Sequence, residues 1–153
     1  MANIVFNIGL GRVNEMFRRV KENDPSEAAI VLVPLETSGL ESDAVLRDKD
    51  TLAQVLAGAT NEQTTMGRKV LTQDDIAITS PDIANDRNEA ALPTVTWVGA
   101  TGNAISKILV CYRKANADGD GLIIPLCMFD FAITPDGSDV VMTGGTVFRA
   151  AQG

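Results

Sequence analysis

Histidine is absent from this chain of 153 residues, and aromatic residues make up only 5% of it. Without histidine, Ser-His-Asp and Cys-His mechanisms are excluded, together with the commonest general base and the commonest zinc ligand. Few aromatic rings also leave few platforms for stacking. We therefore expect neither an enzyme nor a cofactor-binding protein.

Basic residues are fewer than acidic ones, 13 against 20, which gives a formal net charge of -7. An acidic chain without a basic stripe repels phosphate backbones, so nucleic acid is not an expected partner. Hydrophobic runs are too short to span a bilayer, and the first residues lack the basic segment of a signal peptide. We expect a soluble, unexported protein that does not bind membranes.

Cysteine occurs twice, as Cys111 and Cys127, each within an apolar run. In a chain without export signals, such a pair is typical of reduced core thiols. If residues 116–121 form a hairpin loop, Cys111 lies opposite a residue near 124, and Cys127 opposite a residue near 108. The two thiols are then diagonal at best, so we predict that both stay reduced.

The composition that remains, 45% apolar and 22% charged, suits one ordinary globular domain over residues 1–153. Apolar residues recur at three- and four-residue spacing between positions 8 and 21, which predicts an amphipathic helix. Asn7 is its expected N-cap, and the helix should end before Pro25. A second, short helix is predicted over residues 48–58, with Asp50 as its cap and Gly58 past its end.

Strand patterns dominate the rest of the chain, at 29–33, 68–71, 76–78, 92–98, 105–113, 122–133, 139–142 and 146–150. Residues 80–91 hold Pro81 and several charges, which favours a surface loop. Gly144 and Gly145 resemble a two-residue hairpin loop, so a β-meander is predicted from about 105 to 150. The predicted class is α+β, dominated by an antiparallel β-sheet, as a β-sandwich or barrel-like sheet, with the N-terminal helix packed on it.

Several fragments imitate functional motifs. Asn116, Asp118, Asp120 and Gly121 match the opening of a calcium loop, but Cys127 stands where the bidentate glutamate belongs, and strands flank the segment. We expect a tight turn there and no metal site. A second group consists of loop carboxylates, for which solvated charge is expected rather than convergence in a cleft. Its members are Asp74, Asp75, Asp82, Asp86 and Glu89.

Two glycine-rich segments imitate phosphate-binding loops. Gly9 and Gly11 begin like a dinucleotide fingerprint, but Asn14 stands at the third glycine position. Residues 99–107 resemble a phosphate loop, but Lys107 follows the serine instead of preceding it. We expect glycine-rich turns in both places.

Four stretches of the chain resemble a group of short tailed-bacteriophage proteins, which are similar in size to small virion proteins encoded near the major capsid gene. They are NIGLGRVNEM at 7–16, LESDAVLRDKDTL at 40–52, NDR at 85–87 ahead of Leu92-Pro93, and DFAITPDGSD at 130–139. The resemblance implies a virion structural protein, foremost a capsid decoration or cement protein on the capsid surface, with the major capsid protein as its partner. Other implied roles are a head-completion, tail or fibre-associated protein; a small binding module or enzyme is the least expected.

The resemblance also favours a homo-oligomer, foremost a trimer, because shells present threefold positions that a symmetric oligomer matches. Asn3, Ile4, Val5 and Phe6 form a mostly apolar segment before the predicted helix. Such a terminal segment is ordered when something holds it. It either contacts another copy of the chain or forms an edge strand of the domain's own sheet.

Overall fold

The structure, a computed structural model, describes residues 4–151, except for the side chains of residues 77–82. Ten strands and three short α-helices make up the regular structure of this part of the chain. The strands are β1 (Ile4–Val5), β2 (Ala29–Glu36), β3 (Lys69–Leu71), β4 (Ala77–Asp82), β5 (Arg87–Leu92), β6 (Val95–Trp97), β7 (Ile105–Arg113), β8 (Ile124–Ile133), β9 (Val140–Met142) and β10 (Gly145–Ala151). The helices are α1 (Val13–Lys21), α2 (Asp43–Leu46) and α3 (Leu52–Leu56), and a 3-10 turn covers Asn7–Gly9.

A five-stranded antiparallel sheet in the order β1-β8-β7-β2-β3 forms the centre of the molecule. Its strand β2 is buried along almost its whole length, which explains the continuous apolar run at 29–33. Side chains of a strand alternate between the two faces of a sheet, so this sheet supplies apolar residues to two separate clusters. The predicted α+β class, dominated by antiparallel sheet, is confirmed.

The two faces of the central sheet are covered by different elements. On the face that we call the α1 face, Ile30, Leu32 and Ile108 pack with helix α1 and with two smaller sheets. These sheets have the orders β10-β5-β4 and β6-β9, and both are antiparallel. On the opposite face, which we call the arm face, Val31 and Leu109 pack with α2, α3 and Phe6.

The first helix begins later than predicted. Residues 7–9 form the 3-10 turn, α1 starts at Val13, and the residue before it is Arg12, so Asn7 is not its N-cap. Gly11 has a φ of +73°, a conformation that interrupts a continuous helix. Leu10 is consequently 59% exposed, whereas Val13 and Phe17 are fully buried on the sheet as the periodicity predicted.

The polar segment between β2 and β3 contains two very short helices instead of one. Helix α2 begins after Ser42 and was not predicted. Helix α3 lies within the predicted segment, but its cap is Thr51, whose hydroxyl accepts a hydrogen bond from the backbone N–H of Gln54, rather than Asp50. At four and five residues, these helices are too short to show a clear apolar period.

In the second half of the chain, the strands do not pair in the order of the predicted β-meander. Residues 80–91, predicted as a loop, lie mostly in β4 and β5, which pair as a hairpin. Strands β7 and β8 form the predicted hairpin, but β9 pairs with β6 and β10 with β5, so Gly144-Gly145 is not a hairpin loop. A Cβ on Gly144 would lie 2.5 Å from the Leu92 carbonyl oxygen, so this glycine allows a close chain crossing.

Candidate interaction surface

The N-terminal segment predicted as an interface forms the edge of the molecule's own central sheet. Ile4 lies opposite Met128 and Val5 opposite Cys127 in an antiparallel pair, and the Phe6 backbone N–H donates to the Leu126 carbonyl, with 2.9 Å between N and O. Ile4 is 9% exposed and Phe6 is fully buried. Asn3 lies outside the described residues. The edge-strand alternative therefore describes Ile4 and Val5, and contact with another copy stays a prediction.

The 3-10 turn that follows continues this contact across the edge of β8. Gly9 is buried, and a Cβ at this position would lie 2.5 Å from the Leu126 carbonyl oxygen. The Asn7 backbone N–H donates to the Arg47 carbonyl at 2.8 Å, and Asn7 Nδ2 donates to Asp48 Oδ1 at 2.6 Å. Residues 4–9 are thus attached to β8 on one side and to the end of α2 on the other.

The carboxylates of the loop that imitates a calcium site have other partners. Asp118 Oδ2 accepts hydrogen bonds from the backbone N–H groups of Lys114 and Ala115. Asp120 pairs with the guanidinium of Arg68, which also holds Glu62 through two bonds of 2.7 and 2.6 Å. The hydrogen bond from Arg68 holds the pKa of the Asp120 carboxyl below its usual value. The connection between β7 and β8, residues 114–123, is longer than the single tight turn predicted. It contains two turns, closed by the Asp118 N–H on the Ala115 carbonyl and by the Leu122 N–H on the Gly119 carbonyl.

In the second carboxylate group, the described side chains of Asp75 and Glu89 lie in different parts of the molecule and have different partners. Asp75 caps its own turn by accepting from the N–H and hydroxyl of Thr72. Glu89 lies on β5 and pairs with Arg149 of β10 and with Arg87. The side chain of Asp82 is outside the described part. Among described residues, no three Asp, Glu, Cys or His side chains are arranged to hold a metal ion.

The two cysteines lie on different faces of the central sheet. Cys111 belongs to the arm-face cluster and Cys127 to the α1-face cluster, and both are buried and free. Their partners on the neighbouring strand are Pro125 and Val110, close to the predicted positions 124 and 108. Burial raises the pKa of the Cys127 thiol to about 12 and raises that of Cys111 as well. These thiols are components of the core.

Lys107, from the segment that imitates a phosphate loop, also forms ion pairs within the molecule. Its ammonium lies 2.5 Å from Asp130 Oδ1 on β8 and 3.2 Å from Asp43 Oδ1 on α2. Although burial opposes its charge, hydrogen bonds to these two carboxylates raise its pKa. The lysine therefore joins α2 to the central sheet through these carboxylates.

A polar residue that the sequence did not single out organises the long connection after β2. Gln63 is 1% exposed and makes four hydrogen bonds. Its Nε2 donates to the carbonyls of Thr101 and Asn103, and its Oε1 accepts from the N–H groups of Thr65 and Met66. No sequence signal marks this glutamine, because its neighbours Asn61 to Thr65 are all polar.

A depression of about 390 Å3 is shallow and lies at the start of β7 and the end of β8. None of the side chains that line it is titratable; they are Thr37, Ala104, Ile105, Ser106, Ala132, Ile133 and Thr134. In the described part of the chain, no helix is long and apolar enough to cross a membrane. Comparison of the chain with protein-family models, with curated proteins and with solved structures finds no match.

Proposed function

We propose that this chain is a virion structural protein of a tailed bacteriophage, a decoration or cement protein that binds the major capsid protein on the outer surface of the capsid. Its role in this proposal is to add contacts between neighbouring capsomers. A ligand that binds only the assembled shell stabilises the shell by mass action, and many copies with modest interfaces are sufficient. The proposal assigns the chain no catalytic role.

One observation supports this proposal beyond the sequence resemblance itself. Three of the four stretches that carry the resemblance, 7–16, 40–52 and 130–139, are joined by polar contacts. Asn7 bonds to Asp48, and Lys107 bridges Asp43 of the second stretch and Asp130 of the third. Segments that are distant in sequence therefore meet near α2, on the arm face, as expected if they form one binding surface.

The carboxylates considered for catalysis favour the same conclusion. Asp75 and Asp118 cap turns, and Asp120 and Glu89 pair with arginines. General acid–base catalysis by paired carboxylates requires two such groups to converge on a substrate. The four carboxylates named here are instead engaged in structural contacts.

Copy number in purified particles tests the proposal. A cement protein is expected on the order of hundreds of copies per particle, in a fixed ratio to the shell protein, because it follows the shell's symmetry. A count of a few dozen copies or fewer would instead indicate a head-completion, tail or fibre-associated protein. Quantitative gel or mass-spectrometric stoichiometry measures this ratio, and absence of the chain from particles would contradict both roles.

A pair of matched variants locates the binding surface. Val45 on α2 is 45% exposed within the second stretch, and Val141 on β9 is 51% exposed outside all four stretches. We expect Val45→Asp to reduce the number of copies per particle and Val141→Asp to leave it unchanged. Equal copy numbers for both variants would place the shell contact away from α2.

A further inference from the structure

Residues 4–9, which we call the arm, lie around the edge of the central sheet. Phe6 is buried in the arm-face cluster, whereas Val13, at the start of α1, is buried in the α1-face cluster. The chain therefore passes from one face of the sheet to the other beside β8. Removal of the arm would expose both the edge of β8 and the site that holds the Phe6 ring.

The site that holds the arm, which we call the seat, is specific for this segment. Leu126, Cys127 and Met128 of β8 accept the arm through backbone pairing. At its end the contact requires a glycine, because a Cβ on Gly9 would overlap the Leu126 carbonyl oxygen at 2.5 Å. A different segment with a side chain at this point would not fit without a backbone shift.

The connection between the arm and α1, residues 10–12, is exposed, and in an exchange it would be the hinge. Leu10 is 59% exposed and Arg12 is also exposed. No atom outside the chain neighbours of Gly11 lies within 4 Å of the place where its Cβ would be, and its φ of +73° is available mainly to glycine. Straightening this hinge breaks short-range backbone bonds, such as Arg12 N–H to the Gly9 carbonyl.

We propose that the arm is exchangeable, so that the seat on β8 of one copy binds residues 4–9 of a second copy of this chain. The occupant is the same segment, because exchange keeps every arm–seat contact and changes only the hinge, which makes it a low-cost route to oligomers. Reciprocal exchange gives a dimer, and cyclic exchange gives a closed trimer. This inference goes beyond the proposed virion role and does not depend on it.

A disulfide trap tests this exchange, since Val5 lies opposite Cys127 in the strand pair. The donor variant carries Val5→Cys together with Cys127→Ser, and the acceptor is the wild-type chain, which keeps Cys127. The two are mixed in denaturant and refolded together in a glutathione redox buffer, so that the disulfide can form during folding, before Cys127 is buried. We expect a covalent species of two chains on a non-reducing gel, because a disulfide between positions 5 and 127 can only form between different copies.

The donor variant refolded alone is the control and should give no such species. The single variant Val5→Cys, with Cys127 retained, checks the pairing itself. Exchange predicts covalent dimers or trimers from this variant, and their size distinguishes reciprocal from cyclic exchange. A covalently closed monomer alone, combined with no product in the mixture, would overturn the proposal, and so would failure of Val5→Cys to form any disulfide.

Discussion

On the α1 face of the central sheet, one apolar cluster continues without interruption into α1 and both small sheets. The arm face is instead covered by two helices of one turn, a terminal arm and ion pairs. Trp97, Phe17 and Leu126 are fully buried on the first face. At the margin of the second, Arg68 and Lys107 attach neighbouring segments through carboxylates. The comparison shows that short elements with little apolar area depend on polar contacts at their margins.

Replacing one phenylalanine on each face by alanine should reveal the largest difference in stability between the two faces. Phe17→Ala removes a fully buried ring from the large cluster and should cost about 3–5 kcal/mol of unfolding free energy. Phe6→Ala removes an equally buried ring, but the arm can detach locally, which limits the loss to about 1–3 kcal/mol. Urea denaturation of both variants measures the difference, and an equal loss would show that the arm unfolds only with the whole domain.

The ion pairs of the arm face should have the next largest effect. Arg68→Ala leaves Glu62, which is 11% exposed, and the more exposed Asp120 without their cation. Since solvent screens part of this cluster, we expect a loss of about 1–2 kcal/mol. Arg18→Ala on α1, which removes two exposed ion pairs, with Glu15 and Glu22, is the control and should not change stability measurably. Equal effects of the two substitutions would contradict a special role for Arg68.

Low pH should lower the stability of the arm face by protonating Asp120, which pairs with Arg68. The pKa of Asp120 is lower in the folded chain than its ordinary value of 3.8, so this pair stabilises the fold fully above that value. Its contribution is lost as the pH falls through the lower, folded pKa. Melting temperatures measured between pH 5 and pH 2 should therefore fall less steeply in Arg68→Ala than in the wild type, and parallel curves would count against this linkage.

The two thiols, one on each face of the central sheet, should not react with a thiol reagent in the folded protein. Both are buried, and burial raises the pKa of each, to about 12 for Cys127, so the reactive thiolate is scarce at neutral pH. A colorimetric thiol reagent should detect none in the native protein and two after denaturation without reductant. Detection of none after denaturation would indicate a disulfide and would contradict the placement of Cys111 and Cys127 on different faces.

Calcium should have the smallest effect. Because Asp120 is paired with Arg68 and Asp118 caps its own turn, neither is available without loss of these contacts. We expect millimolar calcium to leave the melting temperature unchanged and calorimetry to show no saturable binding. A saturable site in the wild type that disappears in Asp118→Ala would refute this expectation.

Where sequence prediction succeeded, the signal was local. The limits of β7 match the predicted strand, and β8 begins two residues late, because long β-branched runs beside clear turn residues specify both a strand and its hairpin partner. Helix α1 was predicted by its apolar period, although Gly11 delayed its start. The prediction of a loop at residues 80–91 was wrong. The charges and Pro81 are typical of a loop, but pairing with β10 places Arg87 to Leu92 in a sheet.

The sequence by itself determined the β-rich class, the apolar face of α1 and the β7–β8 hairpin, since each depends on residue periods and turn chemistry within a short window. The faces of the two cysteines also depend on a register shift between Val110 and Cys111. Only the tertiary structure decided that β9 pairs with β6 and β10 with β5, that Arg68 holds Glu62 and Asp120, and that the arm lies on β8. Those choices join residues far apart in the chain, and their free energies depend on packing and pairing that no local pattern encodes.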